Sequence, residues 1–281
     1  EKEPFELRNG QKVIFQYSKD IYDAMSSRDA RKINAITLSS VSGQSYRVSD
    51  IGKNKEFGGK GTGAGTAKED KELESLIDQI DKAKAEIGKS TVPVQIKNKV
   101  FEVFTAVSTP GTPKSDFHLI DIDGKEVVWI SHKDGKTEKD FQQWGGISAR
   151  SEPKIAAHPE VQNFISDLKK TYPDGLPRAT SVYRKIKDEK LKMLSVYGNE
   201  YGGPQSRQNV SILLQGPVRL KRSGKYFVLD SNHVHYNGDS ITGPYEPVLA
   251  AIFKGDRSDA GVKGTRIVIM PIGGRKMTGA F

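Results

Sequence analysis

The chain has 281 residues, 35% of them hydrophobic and 28% charged. That composition excludes a disordered polymer and allows one elaborated α/β domain or two small ones. No cysteine is present and there are only five histidines, which stand singly, so disulfides, thiolate nucleophiles and Cys-ligated zinc are excluded and any metal has to be held largely by oxygen.

The 44 Lys and Arg outnumber the 35 Asp and Glu by nine, which favours an anionic partner: nucleic acid, an acidic protein or a membrane surface. Eleven Lys/Arg and five Asp/Glu fall in residues 201–281, which therefore hold +6 of the excess. No apolar run reaches the roughly 18 residues of a membrane span, and the opening "EKEPFELRNG" is charged where a leader would be apolar. A cytoplasmic protein with no membrane partner is the expectation.

In chain order, residues 1–60 read as a small α/β lead-in. It comprises a strand at Val13 to Tyr17, a helix over "KDIYDAMSSRDARKIN", and a hairpin, "AITLSSVSGQSYRVSDI", turning at Ser42 and Gly43. The glycine-rich "FGGKGTGAGT" that follows is too permissive for regular structure. It lacks the G-x-x-x-x-G-K-[ST] spacing of a phosphate loop, which favours a flexible loop over a nucleotide site. "TAKE" (Thr66 to Glu69) fits a capping box, and Leu73, Leu76, Ile77, Ile80, Ala83 and Ile87 recur at three and four, predicting an amphipathic helix that stops near Gly88. Strands follow at "VPVQI", "VFEVFTAVS", "SDFHLIDI" and "KEVVWIS", the last two joined at Asp123-Gly124 as a type I′ hairpin.

"KTEKDFQQWGGIS" reads as a loop or short helix, "HPEVQNFISDLKKTYPDG" as a helix closed by Pro173 and Gly175, and residues 178–197 as a further helix. From Asn209 the chain turns strand-rich through "VSILLQGPVRL", "KYFVLDSNHVHYNGD" and "TRIVIMPIGG". The fold class expected is α+β, a mixed central sheet flanked by helices, with the lead-in at 1–60, a core at 61–200 and a basic strand-rich region at 201–281.

A tight hairpin brings the head of its first strand beside the far end of its second, because antiparallel neighbours lie about 4.8 Å apart. Asp116 and Lys133 occupy those two ends. A divalent-metal phosphodiesterase needs oxygen ligands, a lysine for the attacking water, and a backbone that presents them together. A charged rim of this kind also occurs on ordinary hairpins, where it only solvates.

Here the stretch resembles the PD-(D/E)XK nuclease superfamily of type II restriction-endonuclease-like proteins, over roughly residues 66–147. "PKSD" (Pro113 to Asp116) is similar to the first half of that signature and "SHK" (Ser131 to Lys133) to the second. The resemblance implies a restriction-endonuclease-like core and Mg²⁺ (or Mn²⁺) as cofactor. Asp116 would be a metal ligand, the His132 carbonyl a further ligand, and Lys133 the water-orienting base or transition-state cation. It also implies an acidic residue on the preceding helix, Glu69 first and Glu72 second. Ser131 stands where the signature has Glu or Asp, and a hydroxyl is a poorer Mg²⁺ ligand than a carboxylate.

For DNA as partner, Gln142 and Gln143 are candidates for base edges or phosphates. Trp144 is read as a core anchor rather than a stacking platform. Arg207, Arg219, Lys221, Arg222, Arg257, Lys263, Arg266, Arg275 and Lys276 are candidates for the phosphate backbone or for a solvated rim. His233 and His235 give half of a metal site on one strand, and a plain strand ending in an Asn-Gly turn is favoured there. Two functions follow: a Mg²⁺-dependent DNA endonuclease, with a homodimer allowed, or a non-catalytic nucleic-acid-binding or phage structural protein on a degenerate nuclease scaffold.

Overall fold

The computed structural model describes residues 64–111 and 113–281, with side chains at 69, 71–111 and 113–281, and, before residue 64, the backbone of five short strands. Those strands are β1 (Phe5–Glu6), β2 (Lys12–Val13), β3 (Phe15–Gln16), β4 (Thr37–Ser40) and β5 (Ser45–Arg47). The chain continues through α1 (Ala64–Ile87), β6 (Val92–Ile96), β7 (Lys99–Val103), β8 (Thr105–Ser108), β9 (Phe117–Ile120), β10 (Glu126–Lys133) and β11 (Gly145–Gly146). Then come α2 (Pro153–Ala156), α3 (Pro159–Thr171), β12 (Ser181–Lys185), α4 (Glu189–Tyr197), β13 (Ile212–Gln215), β14 (Arg219–Ser223) and β15 (Tyr226–Asp230). The last strands are β16 (His233–Tyr236), β17 (Pro247–Phe253), β18 (Thr265–Pro271) and β19 (Gly279–Ala280).

The fold is α+β, and it divides into two bodies interleaved in sequence: residues 1–132 with 218–230, and residues 133–217 with 231–281. The single central sheet expected from sequence is replaced by separate sheets, because the strand-rich C-terminal region is shared out between the bodies. The hairpin β14–β15 joins the first body, whereas β16 to β19 join the second.

In the first body, β4 and β5 pair antiparallel as the lead-in hairpin predicted, with Leu38 opposite Tyr46. The predicted helix at 19–34 and residues 57–63 of the glycine-rich stretch lie outside the described residues, whereas residues 64–66 of that stretch are helical rather than loop. Helix α1 begins at Ala64, two residues ahead of the predicted cap, so Thr66 is inside the helix. Its apolar stripe is as read: Leu73, Leu76, Ile77, Ile80 and Ala83 are buried. The helix ends in a Schellman motif, Gly88 N–H to Ala85 O and Lys89 N–H to Lys84 O, made possible by Gly88 at φ +66°.

Strands β8, β9 and β10 form an antiparallel meander, and β14-β15-β6-β7 form a mixed sheet in which β15 and β6 run parallel. Helix α1 packs against β8, β14 and β6. Two of its polar residues serve the strand edge. The Glu72 carboxylate accepts from Val218 N at 3.0 Å, and the Gln79 amide donates to Val218 O at 2.9 Å while accepting from Leu220 N at 2.8 Å.

The β9–β10 connection differs from the type I′ turn predicted. Of its residues only Gly124 has positive φ, +81°, where type I′ needs two. Gly124 N–H bonds Asp121 O, Asp121 N–H bonds Lys125 O, and the Asp121 carboxylate accepts from Asp123 N and Lys125 N. This is a type I turn with a glycine bulge, selected because the Asp121 side chain captures the turn amides.

In the second body the sheet order is β11-β18-β17-β12-β19, antiparallel except for β12 beside β19. Helix α3 fits its predicted limits, with Pro159 in its first turn and the His158 ring accepting from Glu160 N. The helix predicted over 178–197 is instead a strand and a helix. Ser181-Val182-Tyr183 pairs with β17, and Asp188 caps α4 by accepting from Lys190 N at 2.8 Å. β17, "PVLAAIF", went unread in the sequence because a continuous apolar run has no period of two.

The Gln79→Ala variant leaves Leu220 N and Val218 O without their partners and is expected to lose about 1–3 kcal/mol of stability. The measurement is a urea midpoint that falls at unchanged slope.

Candidate functional site

Asp116 heads β9, where its N–H donates to Ile130 O and its carbonyl accepts from Thr109 N, both at 2.9 Å. Since Phe117 lies opposite Ile130 in the ladder, the half-buried carboxylate arrives beside Ser131 and His132. Its Oδ2 accepts the His132 backbone N–H at 2.6 Å and the Ser131 hydroxyl at 3.3 Å. Ser131 is fully buried, and the largely buried His132 ring lies 6.0 Å from Phe117. Asp116 of "PKSD" thus contacts Ser131 and His132 of "SHK".

Behind Asp116 lies a buried polar chain that sequence reading missed. The Thr109 hydroxyl is 3.1 Å from the Ser115 hydroxyl and 2.9 Å from His118 Nδ1, and Ser115 also donates to Phe117 O at 2.9 Å. His118 Nε2 is 3.5 Å from Glu126, whose other oxygen accepts from Trp129 Nε1 at 2.7 Å. Thr109, Ser115 and His118 are nearly inaccessible, so each satisfies its neighbour rather than water. Polar side chains inside "SDFHLI", a strand buried on both faces, were the one sequence signal for it.

Lys133 closes β10 two residues beyond Ser131, the parity that sends both side chains to one face of the strand. In the second body its carbonyl accepts from Gly216 N at 2.8 Å. The loop that follows is tied down throughout. The buried Gln215 amide donates to Asp134 O at 3.2 Å and Thr137 O at 2.8 Å, and its carbonyl accepts from the Tyr245 hydroxyl at 2.8 Å. His233 Nε2 lies 3.1 Å from Lys136 O. Asp140 accepts from Lys136 N at 2.6 Å and Thr137 N at 3.0 Å, and these amides hold its carboxyl below the ordinary carboxylate value. Gly135, at φ +99°, leaves no room for a side chain against Asp140.

The remaining candidates are dispersed. Glu69 is exposed on α1, and Glu72 is engaged with Val218 N. Gln142 is exposed, while Gln143 accepts from Arg266 Nη2 at 2.8 Å. Arg219 and Lys221 both pair with Asp230, at 3.0 and 2.7 Å, and Arg222 pairs with Glu86. Arg207 is half-buried, and Lys263, Arg275 and Lys276 are exposed. Trp144 is a core residue, with Nε1 donating to Tyr245 O at 2.9 Å.

A hard divalent cation needs six or more oxygens. Asp116 brings one carboxylate, with one oxygen already accepting two donors. Among the described residues no three His, Asp or Glu side chains come together as a group able to hold a metal ion. So arranged, these donors do not fit a Mg²⁺ cage.

Compared with known proteins, the chain is similar to a type II restriction enzyme, CviJI of Paramecium bursaria Chlorella virus IL3A, with 31% identity over 162 residues. The match covers 56% of this chain and 44% of that enzyme, so the chain spans less than half the length of the curated relative. No family model matches, and no solved structure does. No described helix is long and apolar enough to cross a membrane.

Because the folded Asp140 carboxyl titrates below its ordinary value, its hold on the loop is complete above that value. It is lost as pH falls through the depressed one. Protection of the Lys136 and Thr137 amides, taken relative to their intrinsic exchange rates, is expected to fall across that acid window, and Asp140→Asn to abolish that fall.

Proposed function

We propose that this chain is a DNA endonuclease of the restriction type, hydrolysing phosphodiester bonds. The observation that carries the reading is the 31% identity to a restriction enzyme. It is supported by the Asp116 carboxylate held against Ser131 and His132 and by the net charge of +9. In this reading Asp116 orients the attacking water through Oδ1, which carries none of the bonds described above. Lys133, sharing a strand face with Ser131, offset the charge that builds on the phosphate. The partner is DNA and the setting cytoplasmic; a homodimer is compatible.

A second reading is a non-catalytic nucleic-acid-binding protein on the same scaffold. Ser131 favours it, because a buried hydroxyl that donates to Asp116 occupies the position of an acidic ligand.

Cleavage separates the two. For the endonuclease, plasmid cleavage is expected to fall at least 100-fold in Asp116→Ala and in Lys133→Ala, on the order of one electrostatic contact to a transition state. Full cleavage by Asp116→Ala overturns the assignment. For the binding protein, duplex is retained without cleavage and calorimetry shows no Mg²⁺ heat. Ser131→Asp, which puts a second carboxylate beside Asp116, is then expected to create a Mg²⁺ affinity that the parent lacks.

A further inference from the structure

Hairpin β14–β15 carries four cations, Arg219, Lys221, Arg222 and Lys225, and the alternation of its strands sorts them. Leu220 and Arg222 share one face of β14, opposite the buried Leu229 and Phe227 of β15. That face is turned to α1, where the Arg222 guanidinium pairs with Glu86. Arg219 and Lys221 fall on the other face, opposite Asp230 and Val228, and Tyr226 continues the row.

The two outward cations converge on a single atom. Arg219 Nε at 3.0 Å and Lys221 Nζ at 2.7 Å both bond Asp230 Oδ2, so the two nitrogens are at most 5.7 Å apart. Bonding from Lys221, and then from Arg219, holds the Asp230 carboxyl below its ordinary value against its partial burial. One negative charge thus answers two positive ones. Donors are left over as well: among the described residues neither Nη group of Arg219 has a partner, and Lys221 uses one of its three N–H groups. The two side chains are 39% and 57% exposed against 29% for the acid between them, so an arriving anion meets the cations first.

We propose that Arg219 and Lys221 together seat one phosphodiester of a DNA strand, on the face of β14–β15 turned away from α1. This deepens the reading of the chain as a DNA enzyme and rests on it. Two nitrogens this close can each reach an oxygen of the same phosphate at about 2.7–2.9 Å, and the free Nη pair of Arg219 supplies the fork that matches phosphate geometry. A polymer suits the surface better than a free anion. Lys225, in the two-residue turn between Ser223 and Tyr226, holds its ammonium 5.1 Å from the Tyr226 ring centre. That turn begins four residues beyond Arg219, roughly 13 Å along a strand, so positive charge continues past the reach of one phosphate. Contacts of this kind position the duplex and carry no sequence information.

The test is binding of labelled duplexes of two unrelated sequences by anisotropy across a salt series without divalent ions, beside thermal unfolding of each variant. The double variant, Arg219→Gln with Lys221→Gln, is expected to weaken both duplexes alike and to flatten the slope of log K against log salt by about 0.9, the share of one phosphate. Lys221→Gln alone keeps the Arg219–Asp230 pair and is expected to move both readouts the same way by less. Arg222→Gln, which removes a charge from the α1 side of the same strand, is expected to keep the parent slope. A parent slope in the double variant overturns the seat. An equal flattening in Arg222→Gln also overturns it, because net charge and not a place on the hairpin is then the cause. A loss confined to one sequence assigns the pair to a base edge, with the same result. Inorganic phosphate that raises the unfolding temperature of the parent but not of the double variant, with duplex slopes unchanged, makes free phosphate the occupant and overturns the assignment to DNA. Polyglutamate that competes with duplex for the parent charge for charge makes an acidic polypeptide the occupant and overturns it too. Cleavage plays no part in these measurements. A parent that binds with the expected slopes and never cuts defeats the nuclease reading alone, and one that cuts while the double variant keeps its slope defeats the seat alone.

Discussion

The bond from His132 N–H to the Asp116 carboxylate, 2.6 Å long, is the constraint on which the candidate site depends. A charged acceptor on a backbone amide is among the stronger hydrogen bonds a protein makes, and this one fixes the head of β9 to the end of β10. Without it the ladder would still pair Ile130 with Phe117. The Asp116 side chain, however, would be free to turn to solvent. With it, the carboxylate, the Ser131 hydroxyl and the last residues of β10 have a defined arrangement, and Ser131 and Lys133 share one parity.

The Thr109, Ser115 and His118 chain explains how a loop can deliver Asp116 so exactly to that amide. Of the described residues between β8 and β9, Thr109 and Ser115 are buried, and their polar groups have to be satisfied. They are, through Thr109 N to Asp116 O, Asp116 N to Ile130 O, and the hydroxyl and imidazole contacts behind them. Glu126 and Trp129 extend the chain across β10. The site is thereby built on strands, the more rigid support, with its second layer already satisfied. Beyond Lys133 the same logic recurs, with Gln215 and Asp140 taking up the backbone groups of the next loop.

Legibility in the sequence followed the physics of each signal. The α1 stripe was readable because Leu73, Leu76, Ile77 and Ile80 repeat at helical spacing, and α3 because Pro159 and Pro173 bound it. The β9–β10 hairpin was readable from its turn glycine, but its turn type was not, because that was decided by the Asp121 side chain bonding its own loop. β17 and β12 were lost for opposite reasons: one is apolar without alternation, and the other mixes Tyr, Arg and Lys in a short run. The meeting of Asp116 with Ser131 and His132 was legible, since hairpin register alone dictates it. The capture of Glu72 by Val218, 146 residues away, was not, because nothing local in either segment announces a long-range partner.

Ser131 carries the last consequence. Two carboxylates on neighbouring strands would repel, and each would need either a proton or a cation to share the space. With a hydroxyl at 131 the single charge of Asp116 is met from within, by one O–H and one N–H, both supplied by β10. The local structure then stands without any ion, with Oδ2 of Asp116 already accepting two donors. Serine at 131 therefore leaves this hairpin without a second carboxylate to neutralise.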